Sequence, residues 1–139
     1  MLSRIDLFRM VLDVPGDGFD TFEGFRSIDP EADPKDIDQT MFSNTDASIL
    51  ERSIKLNDLV RSVSRIPRCE IIKGDIVKTV PEFEKNKPEL SVAMLILDTD
   101  LYQPSKVALG SFLPLMPKGR IVVLDEVCYR NFESKRCLV

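Results

Sequence analysis

Two apolar tracts of this sequence end in carboxylates. LILDTDLY, residues 95–102, carries Leu95, Ile96 and Leu97 straight into Asp98 and Asp100. IVVLDEV, residues 121–127, ends in the adjacent acids Asp125 and Glu126. Asp98, Asp125 and Glu126 together supply hard oxygen donors of the kind that hold Mg²⁺ or Mn²⁺, with water or substrate oxygens completing the shell. A shared cation would also offset the mutual repulsion of carboxylates held close together. The same acids fit a second reading, as solvated strand ends where a sheet meets water. Asp100 fits either a further ligand or a cap for the loop into Pro104, since strand alternation turns it off the line of Asp98.

Two more acids share this placement. GFDTFEGF, residues 18–25, sets Asp20 at the end of a short strand. There a carboxylate can accept two hydrogen bonds from a ribose. Asp75, in KGD, is a similar strand-end acid, suited to accept from an adenine amino group. Phe22 and Phe25 fit the lining of an adenine pocket or an ordinary place in the core.

The elements that must position these acids follow from periodicity. Ile5, Phe8, Val11 and Leu12 predict a helix over 4–13, with Ser3 as N-cap and Pro15-Gly16 as its stop. Residues 26–46, with Pro30 and Pro34 among acids, read as loop. A second amphipathic helix is expected over 47–63. CEIIKGD, 69–75, reads as a strand and turn, followed by a short helix or turn through Val80. SVAMLILD, 91–98, and IVVLDEV are nearly continuous apolar runs, expected to be strands covered on both faces. Between them Pro104 starts a helix that Gly110 weakens and Pro114 ends. Strand, crossover, strand is the βαβ unit, and its parallel strands put Asp98 and Asp125 at one C-terminal sheet edge. In doubly wound sheets that is the ligand edge.

The chain has 139 residues, enough for one domain with a real core. Its 23 acids against 19 bases leave a formal charge of -4, which gives no electrostatic reason to bind DNA or RNA. Cys69, Cys128 and Cys137 form no CxxC pattern and there is no histidine, which argues against a zinc cluster and a His-assisted nucleophile. Free thiols in a reducing compartment, and no apolar run approaching 18 residues, point to a cytoplasmic protein that does not enter membranes. The helix over 4–13 could mediate a homo-oligomer or cover its own sheet.

GFDTFEGF, KGDI, LILDTDLYQPSKVAL and PKGRIVVLDE, in this order, resemble the macrocin O-methyltransferase family, as does DVPGD at 13–17. That resemblance implies a Rossmann-like class I methyltransferase fold: α/β, doubly wound, with a mostly parallel sheet. It also implies S-adenosylmethionine and Mg²⁺ as cofactors and a sugar or related natural-product hydroxyl as acceptor. By the same resemblance Asp98, Asp125 and Glu126 fall where the metal ligands lie, Glu126 standing where the family more often has Asp. Asp20, with Thr21 and Phe22 beside it, falls at the cofactor ribose, and Asp75 beside the adenine. Asp98 is the candidate general base. Lys73 and Lys106, the nearest lysines, read as solvated residues.

The chain departs from the family at one place. There, DVPGD and GFDTF are separated by a first strand, a Gly-rich turn and a helix, roughly thirty residues for such a unit. Here Asp17 is followed directly by Gly18, and no G-x-G-x-G segment occurs. A single methyltransferase-like domain over 1–139, with a segment missing between 17 and 18 and a shortened C-terminal end, is the expected organisation. Two alternatives stand beside catalysis of methyl transfer. One is a non-catalytic methyltransferase-like scaffold or regulatory subunit. The other is a different Mg²⁺-dependent transferase using a nucleotide-like cofactor, which the absence of a P-loop disfavours.

Overall fold

The computed structural model describes residues 16–60 and 67–125. The helix expected over 4–13, Glu126, Cys128 and Cys137 lie outside the described residues. Four strands alternate with helices: β1 (Gly16–Asp20), α1 (Ala47–Leu59), β2 (Cys69–Lys73), α2 (Ile76–Asn86), β3 (Met94–Leu97), α3 (Tyr102–Phe112), a 3₁₀ turn (Leu113–Leu115) and β4 (Ile121–Leu124).

β1 pairs parallel with β2, from Gly16 opposite Cys69 to Asp20 opposite Lys73. β3 pairs parallel with β4, from Met94 opposite Ile121 to Leu97 opposite Leu124. Among the described residues the two pairs are separate sheets, not the single doubly wound sheet expected. One helical layer nevertheless spans both. α2 packs on β1, α3 packs on β3, and the two helices pack on each other.

Apolar spacing explains that layer. Val80 and Phe83 of α2 and Ala108 and Phe112 of α3 are buried with Leu95 and Leu97 of β3 in one core. Phe19 of β1 enters it edge-on to Phe83, with ring centroids 5.1 Å apart, and tilted against Phe112 at 5.8 Å. α2 runs well past Val80, further than expected, with Pro81 inside it. Burying Val80 and Phe83 outweighs the backbone hydrogen bond that Pro81 cannot make.

The expectation that β3 and β4 are covered on both faces does not hold. Leu95 and Leu97 are buried, but Ile96, on the opposite face, is 45% exposed and Ile121 is 50% exposed. α1 leaves Ile49, Leu56 and Leu59 exposed as well. So the described helices cover one sheet face only. No helix among the described residues is long and apolar enough to cross a membrane.

A cleft at the carboxyl ends of the strands

All four strands deliver an acid to the same place. Asp20, Asp75, Asp98 and Asp125, each at or just past a strand end, line one cleft of about 380 Å³. The four strands therefore run in the same direction, and the cleft has the size of a small-ligand site. Asp98 and Asp125 follow Leu97 and Leu124, which face each other across the β3–β4 ladder. The Asp125 N–H donates to Leu97 O at 3.0 Å, extending the pairing to the two acids. Neighbouring strands lie about 4.8 Å apart, so these carboxylates start from adjacent backbone positions. Asp100, in the left-handed region at φ 57°, also lines the cleft.

Asp75 has a structural duty too. It is the N-cap of α2, accepting from Val77 N at 3.1 Å and, through its second oxygen, from Ser27 Oγ at 2.6 Å. Asp20 is exposed and accepts from Phe22 N at 2.7 Å. That bond leaves acceptor capacity for a ligand hydroxyl.

Thr21 lines the cleft and Phe22 does not; the aromatic lining comes from Phe19, Phe25 and Phe42. Phe22 is turned away at φ 56°, with the Lys73 ammonium 5.9 Å from its ring. Phe25 meets Phe42 edge-on at 5.6 Å. Lys73 pairs with Glu51 at 3.0 Å, and Lys106 sits 5.4 Å from the Tyr102 ring; neither lines the cleft. Of the proposed metal ligands, Asp98 and Asp125 are brought together. Among the described residues no group of three His, Cys, Asp or Glu forms a metal cage.

The loop over 21–46 supplies what the sequence reading did not assign: Arg26, Phe42 and Thr45 line the cleft. Gly24 permits the fold of this loop. It has φ +85°, and a Cβ there would lie 2.3 Å from Gln39 O and 2.9 Å from Met41 O. We expect Gly24→Ala to cost about 2–4 kcal/mol, from the left-handed backbone and the clash together. Gly110→Ala, in open space on α3, should stabilise by about 0.5–1 kcal/mol. Urea titration of both variants checks the contrast; equal midpoints would show that the loop simply yields.

The sequence matches no family model and no curated protein. Solved structures do match. A crystal structure of CalS11, a calicheamicin methyltransferase, superposes with a TM-score of 0.78 at 21% identity, over 98% of this chain and 70% of that one. An apo structure of CalS11, described as a TDP-rhamnose 3'-O-methyltransferase of calicheamicin biosynthesis, gives 0.69 at 25% identity. It covers 87% of this chain, which spans 46% of that one. Over the matched length the chain is similar in fold to CalS11.

Proposed function

We propose that the intact protein transfers a methyl group from S-adenosylmethionine to a hydroxyl of a sugar or related natural product, with Mg²⁺ as a second cofactor. The observation that carries this reading is the convergence of four strand-end acids on one cleft, in a fold shared with sugar O-methyltransferases. The macrocin O-methyltransferase family remains the finer assignment, on the sequence resemblance.

The residues divide the work by position. Asp20 and Thr21, at the end of β1, would hold the cofactor ribose, and Asp75, already fixed as the α2 cap, would receive the adenine amino group. Phe25 and Phe42 give that side of the cleft an aromatic wall. Asp98 and Asp125, with Glu126 next in sequence, offer the carboxylate donor set that suits Mg²⁺. When bound there, Mg²⁺ supplies Lewis acidity that orients the acceptor hydroxyl and makes its proton easier to remove. Asp98 would take that proton at a carboxylate oxygen as the hydroxyl oxygen bonds to the methyl carbon and the sulfonium S–CH3 bond breaks, leaving S-adenosylhomocysteine. Asp125 would balance charge beside it. In-line approach comes from binding both reactants along one strand edge.

Calorimetric titration of the purified protein with S-adenosylmethionine, with and without Mg²⁺, tests the reading. Saturable binding in the micromolar range is expected; absence of binding in both titrations defeats it.

Among the described residues β1 and β3 do not pair with each other, which gives weight to the scaffold alternative. We further propose that a strand, Gly-rich turn and helix, inserted between Asp17 and Gly18 in the intact product, completes the single domain and restores catalysis.

A further inference from the structure

We propose that Asp33 is a positioning residue: from 69 residues away it fixes the acid-bearing segment 98–102 in its cleft-lining course. Asp33 is buried, at 6% exposure, and it does not line the cleft. Its Oδ1 accepts from Tyr102 N at 2.8 Å, and its Oδ2 accepts from Asp29 N at 2.7 Å. Asp29 completes the bracket by accepting from Gln103 Nε2 at 2.8 Å.

The arrangement has a local cause. α3 begins after Leu101, which offers no side-chain cap, so the first N–H groups of the helix lack a partner from their own segment. Asp33 supplies the missing acceptor, and its negative charge sits at the favourable end of the helix dipole. The Asp29 carboxylate is held below its ordinary pKa, chiefly by the Gln103 hydrogen bond and then by Glu31 N–H, so it is ionised at neutral pH.

The segment held this way turns sharply as it lines the cleft. Asp100 is left-handed, and Leu101 N bonds back to Thr99 O at 2.7 Å. Ser105, almost wholly buried, ties Thr99 and Leu101 O to the helix from the other side. Asp98, Thr99, Asp100 and Leu101 all line the cleft. A reversed backbone of this kind persists only where its surroundings hold it. Asp33 provides that hold through the Tyr102 N–H, and thereby sets where the Asp98 and Asp100 carboxylates stand.

The functional consequence rests on the proposed metal reading, and two readouts keep the questions apart. Hydrogen exchange of the ligand-free full chain tests the bracket alone. Asp33→Ala should accelerate exchange in 98–104, most at Tyr102, by about tenfold or more while 94–97 stays unchanged, because the part-buried Tyr102 N–H loses its acceptor. Gln103→Ala, which leaves the 29–33 loop intact, should loosen the same segment less and serves if Asp33→Ala does not fold. Unchanged exchange in 98–104, or equal acceleration throughout the chain, overturns the proposal. Mn²⁺ binding, followed by electron paramagnetic resonance with the metal alone, tests the consequence. Asp33→Ala should weaken it about tenfold, and the exposed control Asp36→Ala should not. Parent-like Mn²⁺ affinity in a variant whose 98–104 exchange is faster overturns the positioning role. A parent that binds no Mn²⁺ overturns the metal reading, and exchange still decides the bracket.

Discussion

Asp125→Asn is expected to cut methyl transfer roughly 100-fold, the size typical of losing one preorganised electrostatic contact at a reacting centre, while leaving S-adenosylmethionine affinity nearly unchanged. Asp125 stands at the end of β4, one register step past the Leu97–Leu124 pair and beside Asp98. The amide keeps the side chain's size and removes the charge that would help hold Mg²⁺. Cofactor contacts are expected elsewhere in the cleft, at Asp20 and Asp75. Asp20→Asn should do the reverse, weakening cofactor binding about tenfold or more by loss of charge-assisted hydrogen bonds. Titrating both variants with S-adenosylmethionine and then with Mg²⁺ separates the two ends of the cleft. If Asp125→Asn binds Mg²⁺ like the parent, Asp125 is a solvated strand end and the metal assignment is wrong.

How far such a site could be read from the sequence depends on the range of the interactions that build it. Strand ends are legible because an apolar run that stops at an acid reports burial and exposure in consecutive residues, as in Leu97-Asp98 and Leu124-Asp125. Parallel βαβ order then places those ends together without further information. Ile96, exposed where the apolar run predicts burial, departs for a related reason. An unbroken apolar run shows what a strand is able to bury, but whether a second layer covers it is set by elements far away in sequence. The loop over 21–46 has no periodicity at all, yet it brings Phe42 and Thr45 to the cleft and Asp33 to α3. Beside its local turns, this loop is tied down by hydrogen bonds to Tyr102 and Gln103, about seventy positions on, which leave no local pattern.

The second large effect concerns the space between β1 and β3. Each lies beneath its own helix, and those helices are in contact. Packed helices have axes about 8–10 Å apart, whereas neighbouring strands are about 4.8 Å apart. Strands centred under helices so spaced would stand two places apart, leaving room for one parallel strand between them. A helix following that strand would have Ile96 and the exposed apolar residues of α1 to cover. Asp17 and Gly18, where such a segment would enter, now sit in mid-strand opposite Glu70 and Ile71. Gly18 through Asp20 would keep that pairing after the insertion. The protein purified from its natural source should thus exceed 15.8 kDa by about 3 kDa, the mass of a strand, turn and helix of roughly thirty residues. It should bind S-adenosylmethionine about 100-fold more tightly than the 139-residue chain, because backbone N–H groups at a Gly-rich turn and helix N-terminus are strong anchors for such cofactors. Intact-mass measurement followed by paired calorimetry decides the matter. A natural product of 15.8 kDa that binds no cofactor would establish the scaffold reading, and one of that mass that binds it tightly would show that four strands suffice.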